Sequence, residues 1–327
     1  MTISNNVIVT EVRPVIWVSE PLRRTLCERT DGTAVSSVKE FLDATRDPKT
    51  VSFVDAASLA TVASIDHVTL PGPIIGVCEE SLQTAVGWLQ YPWLSHVVNS
   101  AMVEHPMAEQ HLKNVLRALT GTSQLRLLDW LEPTVIGRRV RLTHSNKRVA
   151  RLERMREFFE GKKVGNRTLE LLQDVAEELL TNAFYDAPVA AGALKPVPRT
   201  EDVALPDDSA CDLAYGCRDD LAILRVRDPF GALTRRRLVE VLSRCARTDM
   251  TVEVDETMGG AGLGLWRIFS GASFVAISVL KNRHTEFLVG VAKRSAGPRP
   301  FAFHLFFKDS GKRRLSDKSV VLASKPK

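Results

Sequence analysis

Short apolar runs alternate with helical patterns along residues 13–120. Runs with the composition of strands appear in "PVIWVSE", "TAVSSV", "TVSFVDA", "PIIGVCE" and "SHVVNS". Helical patterns appear in "PLRRTLCER", "KEFLDATRD" and the closing "MAEQHLKNVLRALTG". Strands that alternate with helices at this spacing predict a parallel sheet that is covered by helices on both faces.

The pattern becomes helical between residues 121 and 165. "QLRLLDWLE" stops at Pro133, and the longer segment "RVARLERMREFFEGKK" follows it. We predict a helical connector over residues 123–165 whose apolar face is available to a partner, or to a second copy of the chain in a homodimer. That face consists of residues spaced for one side of a helix: Val149, Leu152, Met155, Phe158 and Phe159.

The next helical pattern, "NRTLELLQDVAEELLTNAFYDAP", combines an apolar stripe with a polar pair. Glu178 and Asn182 are four residues apart, so they share a face on successive turns. On a helix flank such a pair is usually solvated, and it gains meaning only from the segments that follow. The stripe, which predicts packing on a sheet or on other helices, consists of small and aliphatic residues: Leu169, Leu172, Val175, Ala176, Leu179, Leu180 and Ala183.

Three later segments add candidate chemistry. "DDLAILRVRDPFGALT" has the pattern of an apolar strand that ends at Asp228, with Gly231 three residues later. "GGAGLGL" places four glycines in residues 259–265, and "RHTEFLVGVAK" is a further strand that opens with Thr285. Because glycine has no side chain to keep its backbone away from a ligand, the cluster predicts a close approach, as around phosphates.

Composition restricts the class of protein. The chain has 327 residues, 44% of them hydrophobic and 25% charged, which is enough for two domains with cores. It has no signal-peptide pattern and no apolar run of about 18 residues, so we expect a cytoplasmic protein without a membrane partner. The five cysteines form no CxxC pair and are expected to be reduced. The net charge of +5 lies largely in the C-terminal tail, and nucleic-acid binding through this tail is the weaker hypothesis.

In this order, "EELLTNAFYD", "VRDPFGA", "GGAGLGL" and "HTEFLVGV" resemble the four boxes of the ATPase superfamily shared by histidine kinases, anti-sigma-factor serine kinases, DNA gyrase and related chaperones. The resemblance covers residues 150–295. It implies that ATP and Mg²⁺ are bound, with Asn182 as a Mg²⁺ ligand and Glu178 as the carboxylate that orients or deprotonates the nucleophile. It also implies that Asp228 accepts a hydrogen bond from the adenine amino group and that the Thr285 hydroxyl supports the adenine.

The same resemblance gives the glycines a role. Gly260, Gly262 and Gly264, with Leu263 between them, correspond to the end of an ATP lid that closes on the phosphates. Gly231 corresponds to the glycine that follows the adenine-binding aspartate. Residues 233–258 would form the lid, which is expected to be mobile without nucleotide and ordered with it.

Three positions depart from the pattern of that superfamily. Phe230 and Ala232 stand where the second box usually has glycines, which changes the loop after the aspartate. Asp186 stands where many relatives have a histidine or another non-acidic residue. An added carboxylate near phosphates is unfavourable unless Mg²⁺ or another cation offsets it.

The five strand–helix units of residues 1–122 resemble the receiver domain of bacterial response regulators. A working receiver has Mg²⁺-binding acids after its first strand, an aspartate ending the third, a Thr or Ser after the fourth and a Lys after the fifth. Asp55 ends the third strand here, but the loss of a carboxylate and of the lysine should cripple phosphotransfer. We therefore predict a pseudo-receiver that serves docking or dimerisation. The alternative hypothesis is a working receiver in which Asp55 accepts the phosphoryl group. At the other receiver positions, this sequence has Ser19 and Glu20 after the first strand, Cys78 and Glu79 at the end of the fourth, and Asn99 and Ser100 after the fifth.

These interpretations predict an α/β chain in four parts. A receiver-like, doubly wound parallel sheet (1–122) precedes the helical connector (123–165), an α+β two-layer sandwich of the histidine kinase-like ATPase type (166–306) and a basic tail (307–327). The first functional hypothesis is a bacterial two-component-type signalling protein that transfers phosphate from Mg²⁺-ATP to a Ser, Thr or His of a partner signalling protein. The alternative is a non-catalytic module whose binding to a partner protein responds to nucleotide.

Overall fold

The computed structural model describes residues 13–64, 72–79, 81–121, 126, 130, 137–218, 220–246, 263–293, 298–309 and 321–322. These residues form an α/β structure around a large mixed sheet. The elements of the N-terminal half are β1 (Val15–Trp17), α1 (Leu22–Thr30), β2 (Thr33–Ala34), α2 (Val38–Ala44), β3 (Ser52–Val54), α3 (Ala56–Ala63), β4 (Ile74–Cys78), α4 (Leu82–Trp88), β5 (Leu94–Asn99), α5 (Ser100–Glu104) and α6 (Ala108–Leu119).

The C-terminal half contains a second group of strands with helices between them. Its elements are β6 (Arg138–Leu142), α7 (Arg148–Gly161), α8 (Asn166–Thr181), α9 (Ala187–Ala190), β7 (Val203–Ala204), β8 (Cys211–Cys217), β9 (Leu221–Asp228), α10 (Arg235–Ala246), α11 (Leu263–Gly271), β10 (Phe274–Leu280), β11 (His284–Ala292), β12 (Ala302–Lys308) and β13 (Val321–Leu322). A π-helical segment, Asn182–Asp186, joins α8 to α9.

The N-terminal strands confirm the predicted parallel sheet. Their order is β2-β1-β3-β4-β5, and each neighbouring pair is parallel. The helices α1, α5 and α6 pack on one face of this sheet, and α2, α3 and α4 pack on the other. At the start of four of these helices, α2, α3, α4 and α5, a polar side chain accepts a backbone N–H bond and so ends the loop and starts the helix. These capping residues are Ser37, Asp55, Ser81 and Asn99.

The sheet continues without a break into the C-terminal half. Its full order is β2-β1-β3-β4-β5-β12-β10-β11-β9-β8-β6, and the joint is the antiparallel pairing of β12 with β5. Asn99 fastens this joint, because its Nδ2 donates to the Arg299 carbonyl at 2.9 Å and its Oδ1 accepts the Phe301 N–H at 2.8 Å. The residue compared above with the lysine of a receiver thus stabilises the link between the two halves.

Three buried histidines lie beside this joint. His304 of β12 is paired with His96 of β5, and its Nε2 lies 3.0 Å from Nε2 of His111 on α6. The Trp130 indole N–H donates to Nδ1 of His111 at 3.2 Å. Burial lowers the pKa of both His96 and His111 to about 3, and it also lowers the pKa of His304. All three rings are therefore neutral at pH 7 and act as part of the core.

The helices of the C-terminal half cover one face of its strands. All seven residues of the apolar stripe predicted on α8 are buried in the same core as residues of α7, α10 and α11. This burial confirms that α8 packs on the sheet and on other helices. None of the helices in the described ranges combines the length and the apolar character that a membrane span requires. The five cysteines all lie in the described ranges and form no disulfide with one another.

The connector and the tail differ from their predictions. Residues 138–142 form β6, a strand paired with β8, where the sequence predicted only helix. In α7, Leu152, Met155 and Phe159 are buried, but Val149 is 64% exposed and does not belong to the packed face. The tail contributes Lys308 to β12, and β13 pairs with β7. Residues 138–142 and 321–322 form strands because they pair with distant segments. The local pattern of apolar residues gives no information about such pairing.

Candidate functional site

The polar pair of α8 lies at the end of that helix. The Asn182 Nδ2 donates to Oε1 of Glu178 at 3.4 Å, and both side chains are half-buried, which confirms that they share a face. Asn182 is the first residue of the π-helical segment, a local widening that is frequent at functional sites. Because the amide nitrogen is used for Glu178, the carboxamide oxygen of Asn182 is the atom left to bind a cation or a donor.

Asp228 and Thr285 face each other across the neighbouring strands β9 and β11. Oδ1 of Asp228 accepts the N–H groups of Phe230 at 2.8 Å and Gly231 at 3.2 Å, which leaves Oδ2 for a ligand. Burial raises the pKa of Asp228, whereas the N–H groups of Phe230 and Gly231 and the hydroxyl and backbone of the adjacent Thr285 act in the opposite direction. The Thr285 hydroxyl is also buried and makes no hydrogen bond of good geometry to any described residue. An unsatisfied buried hydroxyl beside a buried carboxylate indicates a place for a polar ligand.

These four side chains line one cavity of about 620 Å³. Glu178 and Asn182 come from the end of α8, Asp228 from β9 and Thr285 from β11, so the structure brings together three segments that are far apart in sequence. The volume lies within the range of small-molecule sites. The remaining wall is largely apolar and includes Leu179, Val197, Leu238, Val241, Leu265 and Phe287.

The charges around the cavity include two arginines that the sequence did not single out. Asp186, which keeps part of its side chain in solvent, pairs with Arg199 at 3.3 Å. Partial burial raises the pKa of Asp186; Arg199 opposes this effect, whereas the Glu178 carboxylate adds to it. Arg237 also lines the cavity. The cation beside Asp186 is therefore an arginine. In the sequence Arg199 stands alone in "KPVPRTED", and the run "TRRRLVEV" contains Arg237.

The predicted glycines have different places in the structure. Gly264 is the second residue of α11, and a Cβ there would collide with the side chain of Glu178. Leu263 begins the same helix, while Gly260 and Gly262 lie outside the described residues. The absence of a side chain at Gly264 thus allows α11 to approach the candidate base of α8.

Gly231 is explained by backbone packing. Its φ angle is 62°, and an added Cβ would collide with the carbonyl of Leu280 in the turn between β10 and β11. The Asn282 N–H donates to the Gly231 carbonyl at 3.2 Å. Gly231 is not among the residues that line the cavity, whereas its neighbour Ala232 is. Its structural role is to let the loop after β9 meet that turn.

The first part of the predicted lid is the helix α10. Thr234, Arg237, Leu238 and Val241 line the cavity, and α10 contacts α11 and α4. Residues 247–258, the rest of the predicted lid, lie outside the described residues. The described part of the lid therefore forms a wall of the cavity.

The receiver-like site holds Asp55 in a structural network. Oδ2 of Asp55 accepts the Ser19 N–H and hydroxyl at 2.7 and 2.6 Å. Its Oδ1 accepts the Ser58 N–H and hydroxyl at 2.9 and 2.7 Å, which caps α3. Burial raises the pKa of Asp55, but these bonds outweigh that effect and hold the pKa below its usual range. Both oxygens of the candidate phosphoacceptor are thus engaged in local hydrogen bonds.

Neither a protein-family model nor a curated protein sequence matches this chain. The functional interpretation therefore rests on the cavity and on the residues that line it. Within the described ranges, no group of three or more His, Cys, Asp or Glu side chains is placed to hold a metal ion by itself. A cation at Asn182 would need further oxygen ligands from a bound molecule, as Mg²⁺ takes from nucleotide phosphates.

Proposed function

We propose that the cavity binds Mg²⁺-ATP and that the protein transfers the terminal phosphoryl group to a partner protein. The observation that carries this proposal is the convergence of Glu178, Asn182, Asp228 and Thr285 on one cavity of about 620 Å³. The fold part of the proposal is a receiver-like N-terminal half and a histidine kinase-like ATPase sandwich. The parallel order β2-β1-β3-β4-β5 supports the first of these, since it is a common doubly wound order.

The chemistry of the cavity residues fits a nucleotide. Oδ2 of Asp228 and the unsatisfied Thr285 hydroxyl offer polar contacts at the buried end, between apolar walls that suit a purine ring. The Asn182 carboxamide oxygen would hold Mg²⁺ together with phosphate oxygens. Bound Mg²⁺ would neutralise charge on the phosphates during transfer.

Glu178 has the position expected of a general base for the acceptor hydroxyl. It lies beside Asn182 and lines the same cavity, with its carboxylate half-buried. A general base must reach the proton that it accepts within a hydrogen-bond distance. We assign Glu178 to orienting the acceptor hydroxyl and accepting its proton, and Asn182 to holding the Glu178 carboxylate in place.

Calorimetric titration with ATP tests the binding site. Asn182→Ala is expected to weaken binding of Mg²⁺-ATP roughly tenfold or more, because a metal ligand is lost, while binding of ATP without Mg²⁺ changes little. Asn146→Ala is a matched control, since that carboxamide bonds Asp202 on the surface. Absence of ATP binding by the wild-type protein would overturn the proposal.

One observation favours a second candidate function, a nucleotide-responsive module without catalysis. Glu178 packs directly against the backbone of Gly264, so that its side chain also serves as a contact between α8 and α11. Nucleotide would then act by moving α11 and changing a docking surface, within the limit set by its differential affinity for the two states. Partner binding that depends on ATP and persists in Glu178→Gln, with no phosphate transfer, would support this function instead.

Regulation by the N-terminal half is supported by Arg235. This first residue of α10 donates from Nη2 to the carbonyls of Leu89, Tyr91 and Leu94 at 2.7, 2.7 and 2.9 Å. These carbonyls lie between α4 and β5, whereas α10 forms a wall of the cavity. A shift at the α4–β5 junction would therefore be transmitted to the cavity through one side chain.

Arg235→Gln is expected to destabilise the protein by about 2 kcal/mol, since partly buried carbonyls lose a charged donor. Hydrogen exchange should rise at both residues 89–94 and α10. Arg236→Gln is the matched control, because Arg236 is exposed and pairs only with Glu240 of its own helix among the described residues. Equal unfolding free energies for the two variants would contradict a fastening role for Arg235.

A further inference from the structure

Positive charge is concentrated in residues 138–163. This segment contains ten Lys and Arg residues and three Glu residues, so its net charge exceeds the +5 of the whole chain. The segment comprises β6, α7 and the residues that flank them. Its charge is therefore placed on one strand and one helix of the C-terminal half, outside the candidate nucleotide cavity.

The strand in this segment is the last strand of the sheet. Among the described residues, β6 pairs with β8 on one side and with no strand on the other. An edge strand presents a row of backbone N–H and C=O groups that an added extended chain can pair with. Edge strands of natural proteins often carry charged side chains that oppose unwanted pairing. Those on β6 are arginines on both faces of the strand: Arg138, Arg139 and Arg141.

Helix α7 places further arginines beside this edge. Phe158 and Phe159 of α7 pack on Tyr215 of β8, with ring centroids 5.2 and 5.7 Å apart. Tyr215 is the partner of Arg138 in the β6–β8 register. Burial raises the pKa of Tyr215, while the charges of Arg138, Arg151 and Arg154 act against this rise. Arg138 of β6 and the helix that carries Arg151 and Arg154 therefore meet at the same position of β8.

Three other arginines of the segment are ion-paired. Arg148 pairs with Glu177, Arg156 with Glu160, and Arg139 with Asp212. Arg138, Arg151 and Arg154 form no ion pair with any described residue, and Glu157 is the acid that also acts on Tyr215. Arg138 and Arg154 are exposed, and Arg151 is half-exposed. Among the described residues, Arg138, Arg151 and Arg154 thus carry charge without an ion pair near the unpaired side of β6.

We propose that this surface, the basic edge formed by β6 with Arg138, Arg151 and Arg154, binds an acidic segment of a partner protein as an added strand. Backbone pairing with β6 would provide the affinity, and carboxylates of the segment would bond the three guanidinium groups. The open strand edge favours a polypeptide over a nucleic acid, because its N–H and C=O groups match an extended backbone. The proposal does not depend on nucleotide binding in the cavity.

A fluorescence-anisotropy titration of the full chain tests the basic edge. The probe is a labelled peptide of alternating Glu and Val, about ten residues long, which has the side-chain alternation of a strand. The triple variant Arg138→Gln, Arg151→Gln, Arg154→Gln is expected to bind it roughly tenfold or more weakly than wild type. The control variant Lys312→Gln, Arg313→Gln, Arg314→Gln removes the same charge from the tail and should bind within about twofold of wild type.

Two further arms separate strand addition from general attraction of anions. A peptide in which proline replaces valine keeps the charge but lacks half of the backbone donors, and it should bind much more weakly. Hydrogen exchange of residues 138–142 should slow with the Glu-Val peptide. The Arg→Lys triple variant keeps the charge and should retain most of the binding. This result would show that substitution at these three positions does not unfold the surface.

Several outcomes would overturn the proposal. They are no binding of the Glu-Val peptide, equal loss in the edge and tail variants, and equal binding of the proline peptide. A single-stranded DNA oligonucleotide that binds more tightly than the peptide and protects the same residues would assign the basic edge to nucleic acid instead.

Discussion

Asp228→Asn is expected to weaken ATP binding by roughly ten- to a hundredfold, because one charged hydrogen bond in a buried site is lost. Asparagine keeps an oxygen for the N–H groups of Phe230 and Gly231, so the loop after β9 is preserved. The substitution replaces Oδ2 with an amide nitrogen. This nitrogen is a hydrogen-bond donor, so it cannot accept a hydrogen bond from the adenine amino group. The effect is therefore on binding and not on the fold.

Isothermal titration with ATP measures this loss, and Asp212→Asn is its matched control. Asp212 is a buried carboxylate of the neighbouring strand β8, paired with Arg139 and absent from the residues that line the cavity. An ATP affinity that is unchanged in Asp228→Asn, or reduced equally in both variants, would contradict the assignment of the adenine site.

The pH dependence of binding provides a second measurement on the same residue. Burial raises the pKa of Asp228, so the carboxylate becomes protonated at a higher pH than an ordinary aspartate. The charged acceptor is present above this raised pKa and is lost as the pH falls through it. Wild-type affinity should therefore decrease as the solution is acidified, and Asp228→Asn should lack this component.

Glu178→Gln is expected to lower phosphate transfer about a hundredfold or more while ATP affinity stays within about threefold. Glutamine has the shape of glutamate, so the contact with Gly264 and the bond from Asn182 are maintained. The substitution removes the negative charge and, with it, the ability to accept a proton. Transfer of label from γ-labelled ATP to candidate partner proteins, followed in single turnovers, measures the change.

Glu177→Gln controls for the loss of one negative charge at the same turn of α8. Glu177 pairs with Arg148 and does not line the cavity, so its variant should transfer label at the wild-type rate. If Glu178→Gln also transferred label at that rate, Glu178 would not be the base. If the wild-type protein and the Glu177→Gln variant both bound ATP but transferred no label, the nucleotide-responsive module would be the better description.

Local periodicity predicted much of the architecture. The N-terminal strands, the stripe of α8 and the strand that ends at Asp228 all follow from the spacing of apolar residues, and the structure confirms them. The i, i+4 spacing also placed Glu178 and Asn182 on one face. These features are set within a few residues of chain, so the sequence contains them directly.

Features that depend on distant partners were missed. Residues 138–142 and the end of the chain lack a strong strand pattern, yet both pair with other strands. Val149 fits the apolar spacing of α7 but lies outside its packed face, because the buried side of that helix is decided by β8 and α8. A propensity in one segment gives no information about which segment will lie beside it.

The sequence by itself determined the N-terminal parallel strands, the packed face of α8 and the chemistry of the candidate site residues. Only the tertiary structure decided that Asp228 faces Thr285, that Arg199 neutralises Asp186, and that Arg235 fastens the cavity wall to the α4–β5 junction. It also decided that one sheet runs through both halves of the chain. The physical reason is that periodicity is a local property, whereas strand register and side-chain pairing arise between residues that are brought together by folding.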